Sequence, residues 1–363
     1  MKSPFAAIHK ARVARWVRTQ FDPAEYGLAP LAQLDAGRPG PPLPASRLRE
    51  MQALADTVWA GDWRAAASYV AAAGQEWDQR WNRLELLQEI AQRDGAWLDE
   101  WVRSEPENSD AATLRAELLV HQAWEVRGSG YANQVPIERM SRFQQMLPEA
   151  MKAAQKAAEL APRDPGPWVV MITTARALKY RGMKFQPLWD GLVERAPHHY
   201  AGHWQALQYW CAKWCGTDKQ MMDFAERAVR NAPEGSPLAG IYLYALSELG
   251  ERHGVMAPVA NAKVKALLPD VVRSLNQVPE DDERLPRLRH LLAHYLGNIG
   301  DYDAALEQFQ LIGPWCGAEP WTDSDDPIAA FQLARGTAAA RAANGKQRTA
   351  NGGKPRPDIL IRG

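Results

Sequence analysis

Residues 157–204 read AAELAPRDPGPWVVMITTARALKYRGMKFQPLWDGLVERAPHHYAGHW, and their spacing decides the fold. A small or apolar residue, four residues of any kind and a proline occur at Ala157…Pro162 and again at Leu192…Pro197. The arrangement returns at Ala228…Pro233, so the prolines stand 35 and 36 residues apart. Proline has no amide hydrogen and cannot continue a helix, so each one marks a turn between helices. Trp168 and Trp204 follow the first two prolines by six and seven residues, where the next helix begins. Working outward, apolar residues recur three and four apart through most of 46–312, which is the helical period. No convincing strand alternation interrupts it, and no Asn-Gly or Asp-Gly hairpin turn joins such strands.

A second signature marks the turn inside a helix pair. Gly61-Asp62-Trp63…Ala66 is followed by Val70 and Ala73, and Gly300-Asp301-Tyr302…Ala305 by Phe309 and Ile312. Glycine permits the tight reversal, the aromatic wedges between the helices, and alanine lets them approach closely.

Together these residues resemble the tetratricopeptide repeat, a helix–turn–helix unit of about 34 residues. The resemblance covers 46–317 and is clearest at 150–235 and 285–312. The spacing from Pro106 to Pro162 is too long by about twenty residues, which predicts an insertion around 127–136. The spacing from Pro233 to Pro279 is long by about ten, around 250–262. The segment HHYAGHWQALQYWCAKWCG (198–216) is also similar to a bacterial family that carries no activity over to this chain. The resemblance implies an all-α fold, a right-handed superhelix of five to seven stacked antiparallel helix pairs. It also implies that the first helix of each pair lines a concave face. Projected onto the clearest units, that face presents Thr173, Arg176, Gln205, Gln208, Lys213, Tyr244 and Glu248 to a protein or peptide partner.

Composition fits a globular chain. Of 363 residues, 46% are apolar and 24% charged, and the net charge is zero. Global disorder is excluded, as is nucleic-acid binding through bulk positive charge. No apolar run approaches the roughly 18 residues of a membrane span. The first 20 residues carry Lys2, Lys10, Arg12, Arg15 and Arg18 at intervals, which predicts an amphipathic helix rather than a secretory signal. Residues 21–46 are rich in proline and glycine and are expected to link that helix to a repeat domain over 47–334. Residues 335–363 hold seven basic side chains against Asp358 and few apolar ones, so they are expected to form a disordered basic tail, with at most weak contact to nucleic acid. Three cysteines, Cys211, Cys215 and Cys316, suit a reducing cytoplasm better than a disulfide scaffold.

Candidate chemistry is sparse. His199 and His203 stand four apart, as do Cys211 and Cys215, and zinc needs four convergent nitrogen or sulfur ligands. This is the best metal candidate. Against it, histidines after Pro197 suit a helix start, and cysteines in an apolar helix are commonly buried small hydrophobes. His290 and His294 have no acid of the metalloprotease motif between them. The acidic runs Glu280–Glu283 and Asp323–Asp326 precede helical patterns and suit helix N-termini better than magnesium. No phosphate loop of the GxxxxGK type and no GxSxG elbow is present. Tryptophan is the outlier at 15 residues, with four pairs four apart: Trp59/Trp63, Trp77/Trp81, Trp97/Trp101 and Trp210/Trp214. Packing between helices and an aromatic binding groove are both open readings. The expected function is a non-catalytic, cofactor-free, cytoplasmic scaffold for a protein or peptide. The alternative is a metal-dependent or small-molecule-binding regulator or enzyme built on His199, His203, Cys211 and Cys215.

Overall fold

The computed structural model describes residues 4–128 and 134–350. These form sixteen α-helices, with no strand beyond an isolated bridge between Asp35 and Trp315. In chain order they begin with α1 (Pro4–Thr19), α2 (Ala45–Trp59), α3 (Trp63–Ala71), α4 (Trp77–Arg93), α5 (Ala96–Ser104) and α6 (Ser109–Arg127). Next come α7 (Ile137–Leu160), α8 (Gly166–Ala177), α9 (Gly182–Arg195), α10 (Tyr200–Trp210) and α11 (Asp218–Asn231). The last are α12 (Ile241–His253), α13 (Ala262–Leu275), α14 (Leu285–Ile299), α15 (Tyr302–Ile312) and α16 (Pro327–Ala350).

The chain divides into two compact units, Leu43–Pro233 and Met1–Pro42 with Glu234–Gly363. The repeat domain expected over 47–334 thus takes in the first unit and part of the second. In the first unit the punctuation is where the sequence put it. Pro162, Pro197 and Pro233 each lie two residues beyond the end of α7, α9 and α11. Asn108 accepts hydrogen bonds from the amides of Asp110 and Ala111 to start α6, and Thr217 accepts from Gln220 to start α11. The even-numbered helices α4, α6, α8 and α10 pack in succession, while α7 packs on α6 and α8. α8 is buried along most of its length, so it is apolar nearly all round. Trp168 on α8 lies against Gly191 on α9. A Cβ on that glycine would stand 2.1 Å from the indole, so the pair closes only because the position has no side chain.

The second unit shows the other turn signature at work. Gly300 ends α14 in the left-handed region at φ 89°, and Asp301 then caps α15 by accepting from the Ala304 amide. Gly61 and Asp62 make the equivalent turn before α3 in the first unit, with Gly61 at φ 98°. Behind α14 and α15, Phe309, Trp321 and Phe331 pack ring on ring at 5.3–5.9 Å.

Two expectations at the chain ends need correction. The segment expected to be a linker, 21–46, is an ordered strap on the second unit as far as residue 42. The Asp35 amide donates to Pro314, the Cys316 amide to Asp35 and the Gly317 amide to Arg38, at 2.8–2.9 Å. A proline-rich segment lacks donors but keeps every carbonyl, and buried donors find them. Arg335 donates to the Ala29 carbonyl at 2.7 Å, and His290 to the Pro39 carbonyl at 2.9 Å. The first part of the tail, expected from 335, is helical. α16 continues to Ala350, Arg335 is fully buried, and Ala338, Ala339 and Ala342 are buried with it. Alanine-rich helix buries small faces that carry little hydropathy signal, which is why composition misjudged it. The rest of the tail, 351–363, lies outside the described residues, as do residues 129–133 of the 127–136 insertion.

Candidate functional site

The successive packing of α4, α6, α8 and α10 gathers polar side chains at three levels of the first unit. Their N-termini lie together. Arg80 on α4 forms an ion pair with Asp110 on α6, and its Nε stands 3.7 Å from Asp164, just before α8. Asp164 also accepts from the Gly166 amide at 2.8 Å, starting α8. Asp78 on α4 accepts from the Tyr200 amide at 2.9 Å, starting α10, and lies 3.7 Å from His199. Burial pushes the Asp110 and Asp164 carboxyls up, opposed by Arg80 at Asp110 and by the Gly166 amide and then Arg80 at Asp164. This layer staples four helix ends with buried charge.

Half-way along α6, burial and then the nearby Glu85 push the Glu117 carboxyl up to about 8. Its Oε2 is sealed from solvent and has no hydrogen-bond partner among the described residues. Gln88 Nε2 on α4 and Gln205 Oε1 on α10 are likewise buried atoms without a partner.

At the C-terminal ends sits a cation–aromatic cluster. Trp124 of α6 and Trp214, in the turn after α10, meet edge to face at 5.5 Å, and Phe143 of α7 backs Trp124 at 5.0 Å. The Arg176 guanidinium lies 5.0 Å from both indole rings, and that of Arg127 lies 5.4 and 5.7 Å from them. Cations stack favourably on indole faces, and both arginines close helix C-termini, where positive charge is favoured. Arg127 donates to the Gly128 carbonyl at 2.8 Å, and burial lowers its pKa. Both indole N–H groups are buried without a partner. Spacing ties the levels together, because Trp124 is seven residues after Glu117 and so shares its helix face.

Of the residues expected on a concave face, the structure joins Arg176 to Trp124 and Trp214. Thr173, one turn earlier on α8, is buried and donates to the Val169 carbonyl at 2.9 Å. Gln208 is buried, Gln205 half-buried and Lys213 exposed in the turn after α10. Tyr244 is half-buried and Glu248 buried on α12, in the other unit. Trp124 and Arg127 were missed. Their signal was a tryptophan and an arginine three apart in the last turn of a helix.

The metal candidate does not assemble. His199 precedes α10 and accepts from the Gly202 amide, while His203 Nδ1–H donates to the His199 carbonyl at 3.0 Å. α10 ends at Trp210. Cys211 and Cys215 therefore do not share the helix face that the sequence predicted, and Cys211 packs its thiol 3.2 Å from the Met221 sulfur. No group of three or more metal-ligating side chains converges among the described residues. The tryptophan pairs are largely packing. Trp101 stacks on Trp63 and Trp97 at 6.1 and 6.5 Å, and Trp59 donates to the Ile90 carbonyl at 3.2 Å. No protein-family model matches the sequence, and no curated protein or solved structure matches it significantly.

Proposed function

We propose that this chain is a tetratricopeptide-like helical-repeat protein that binds a peptide segment of a protein partner. One observation carries the reading. Buried polar atoms on α4, α6, α10 and the turn after α10, namely Gln88 Nε2, Glu117 Oε2, Trp124 Nε1, Gln205 Oε1 and Trp214 Nε1, have no partner among the described residues. Buried polar groups are nearly always satisfied, and each one left unmet costs about 1–3 kcal/mol. A peptide backbone offers the alternating donors and acceptors that complete such a set, and the two indoles supply the large contact area typical of binding hot spots. The three cysteines are free, which suits a reducing compartment such as the cytoplasm. Among the described residues no helix is long and apolar enough to cross a membrane.

The test is peptide-display selection on the full chain, followed by fluorescence polarisation with the enriched peptides. Gln205→Ala removes the unmet acceptor, and Trp214→Phe keeps a ring while removing the indole donor. Each is expected to weaken the selected peptides about tenfold, the loss of roughly one buried hydrogen bond. Selection that enriches no sequence, or peptides that bind both variants as tightly as the wild type, would overturn the proposal.

A further inference from the structure

A cavity of about 410 Å³ lies between α9, the start of α10 and α11. It is independent of the polar face on which the proposed peptide site rests. Three rings form its wall. Trp189 meets His203 at 5.0 Å and Phe224 at 5.2 Å, both edge to face, and His203 lies 5.8 Å from Phe224. His203 gives its Nδ1 proton to the His199 carbonyl, and burial holds the ring well below the usual imidazole range, at about 4. The three rings thus form an uncharged aromatic face at neutral pH, and Val193, Pro197, His198 and Ala228 complete the lining beside it.

Charge enters from one side. Arg227 lines the cavity, is exposed, and has its guanidinium 5.9 Å over the Phe224 ring. It has no acidic partner among the described residues. Asn231, one turn further along α11, lines the same opening. No Asp or Glu lines the cavity, and acids on neighbouring turns are engaged elsewhere. Asp190 accepts from Gln186 at 2.8 Å, Glu194 lies 3.5 Å from Arg195, and Glu226 lies 3.3 Å from Arg230. The cavity also sits at the positive end of α10.

We infer that this cavity binds an aromatic carboxylate, its ring against Trp189, His203 and Phe224 and its carboxylate on Arg227 and Asn231. Aromatic rings favour edge-to-face and offset contacts with one another, and a guanidinium pairs with a carboxylate through two parallel hydrogen bonds. The volume falls within the range of about 300–1,000 Å³ usual for small-ligand pockets. The same chemistry is offered by a free arylalkanoic acid and by an aromatic residue at the carboxyl end of a chain.

Isothermal titration calorimetry of the full chain tests the inference with three probes: 3-phenylpropanoate, 3-phenylpropanamide and Gly-Gly-Phe with a free carboxylate. Saturable binding of the acid is expected, with the amide at least tenfold weaker. Arg227→Ala, an exposed substitution that leaves the packing intact, is expected to weaken the acid at least tenfold, about 1.4 kcal/mol. Arg227→Lys, which keeps the charge but not the paired hydrogen bonds, falls between. Gly-Gly-Phe binding as tightly as the acid assigns the site to chain ends; the acid binding alone assigns it to free acids. Failure of both to saturate by ~10 mM, or an Arg227→Ala protein that binds as the wild type does, would overturn the inference.

Discussion

Glu117 makes the stability of this protein depend on pH in a direction unusual for a carboxylate. Its Oε2 is buried without a partner, and its pKa is pushed up from 4.5 to about 8, first by burial and then by Glu85. A raised carboxyl favours the protonated form in the folded state. Its contribution is therefore fully present below about pH 4.5 and is lost as pH rises through 8. Each pH unit inside that window is worth at most about 1.4 kcal/mol, so between pH 5 and 8 the loss is on the order of 3 kcal/mol. Glu117→Gln places a neutral side chain of the same shape there and removes the titration. Urea unfolding of both proteins at pH 5, 6.5 and 8 isolates the effect, because titrating groups not coupled to Glu117 cancel in the difference. The variant is expected to gain on the wild type steadily as pH rises. A difference that stays flat, or that narrows with pH, refutes the placement of Glu117.

The other buried ions give further expectations. Arg80→Ala leaves Asp110 and Asp164 as uncompensated buried carboxylates and is expected to cost about 3–5 kcal/mol by urea unfolding; adding Asp110→Asn and Asp164→Asn recovers much of it. His203 and His290 are held at about 4, below their usual 6.5, so their contribution is present above pH 6.5 and lost as pH falls through 4. Replacing His290 by Gln is expected to shrink the acid-induced fall in stability between pH 6.5 and 4, and an unchanged acid profile counts against its burial. Truncation after 334 removes buried Arg335 and the alanine face of α16 and is expected to lower the melting temperature by several degrees.

The sequence was most legible where backbone chemistry acts locally. Proline cannot propagate a helix and glycine alone turns freely, so Pro162, Pro197, Pro233, Gly61 and Gly300 marked helix ends without any knowledge of packing. Side-chain spacing was less reliable, because it presumes that the helix continues. The pair Trp210/Trp214 straddles the end of α10 and Cys211/Cys215 lies just beyond it, where four-residue spacing no longer places side chains on one face. Arg176 was picked for a face that would have put it against solvent. It is buried instead between Trp124 and Trp214, because its partners come from a helix 52 residues before it and a turn 38 residues after it. Such clusters are set by which helices stack, and a single sequence does not carry that information. The strap over 21–42 was misread for a related reason. Proline and glycine reveal absent amide donors, but not the buried arginine and histidine that use the spare carbonyls.

That strap has a consequence for the order in which the chain acquires its structure. The unit it belongs to is assembled from Met1–Pro42 and Glu234–Gly363, with the whole of Leu43–Pro233 between them in sequence. A nascent chain therefore exposes α1 and the strap before anything exists for them to cover. At about 5–20 residues per second, translating the intervening segment takes roughly 10–40 s. During that interval the middle of the chain has all of its own partners, while Phe21 and Leu28, buried in the finished protein, are exposed to chaperones or to the wrong neighbour. This unit is thus completed from the outside of the sequence around a middle that is already made, when α16 comes to pack against α1.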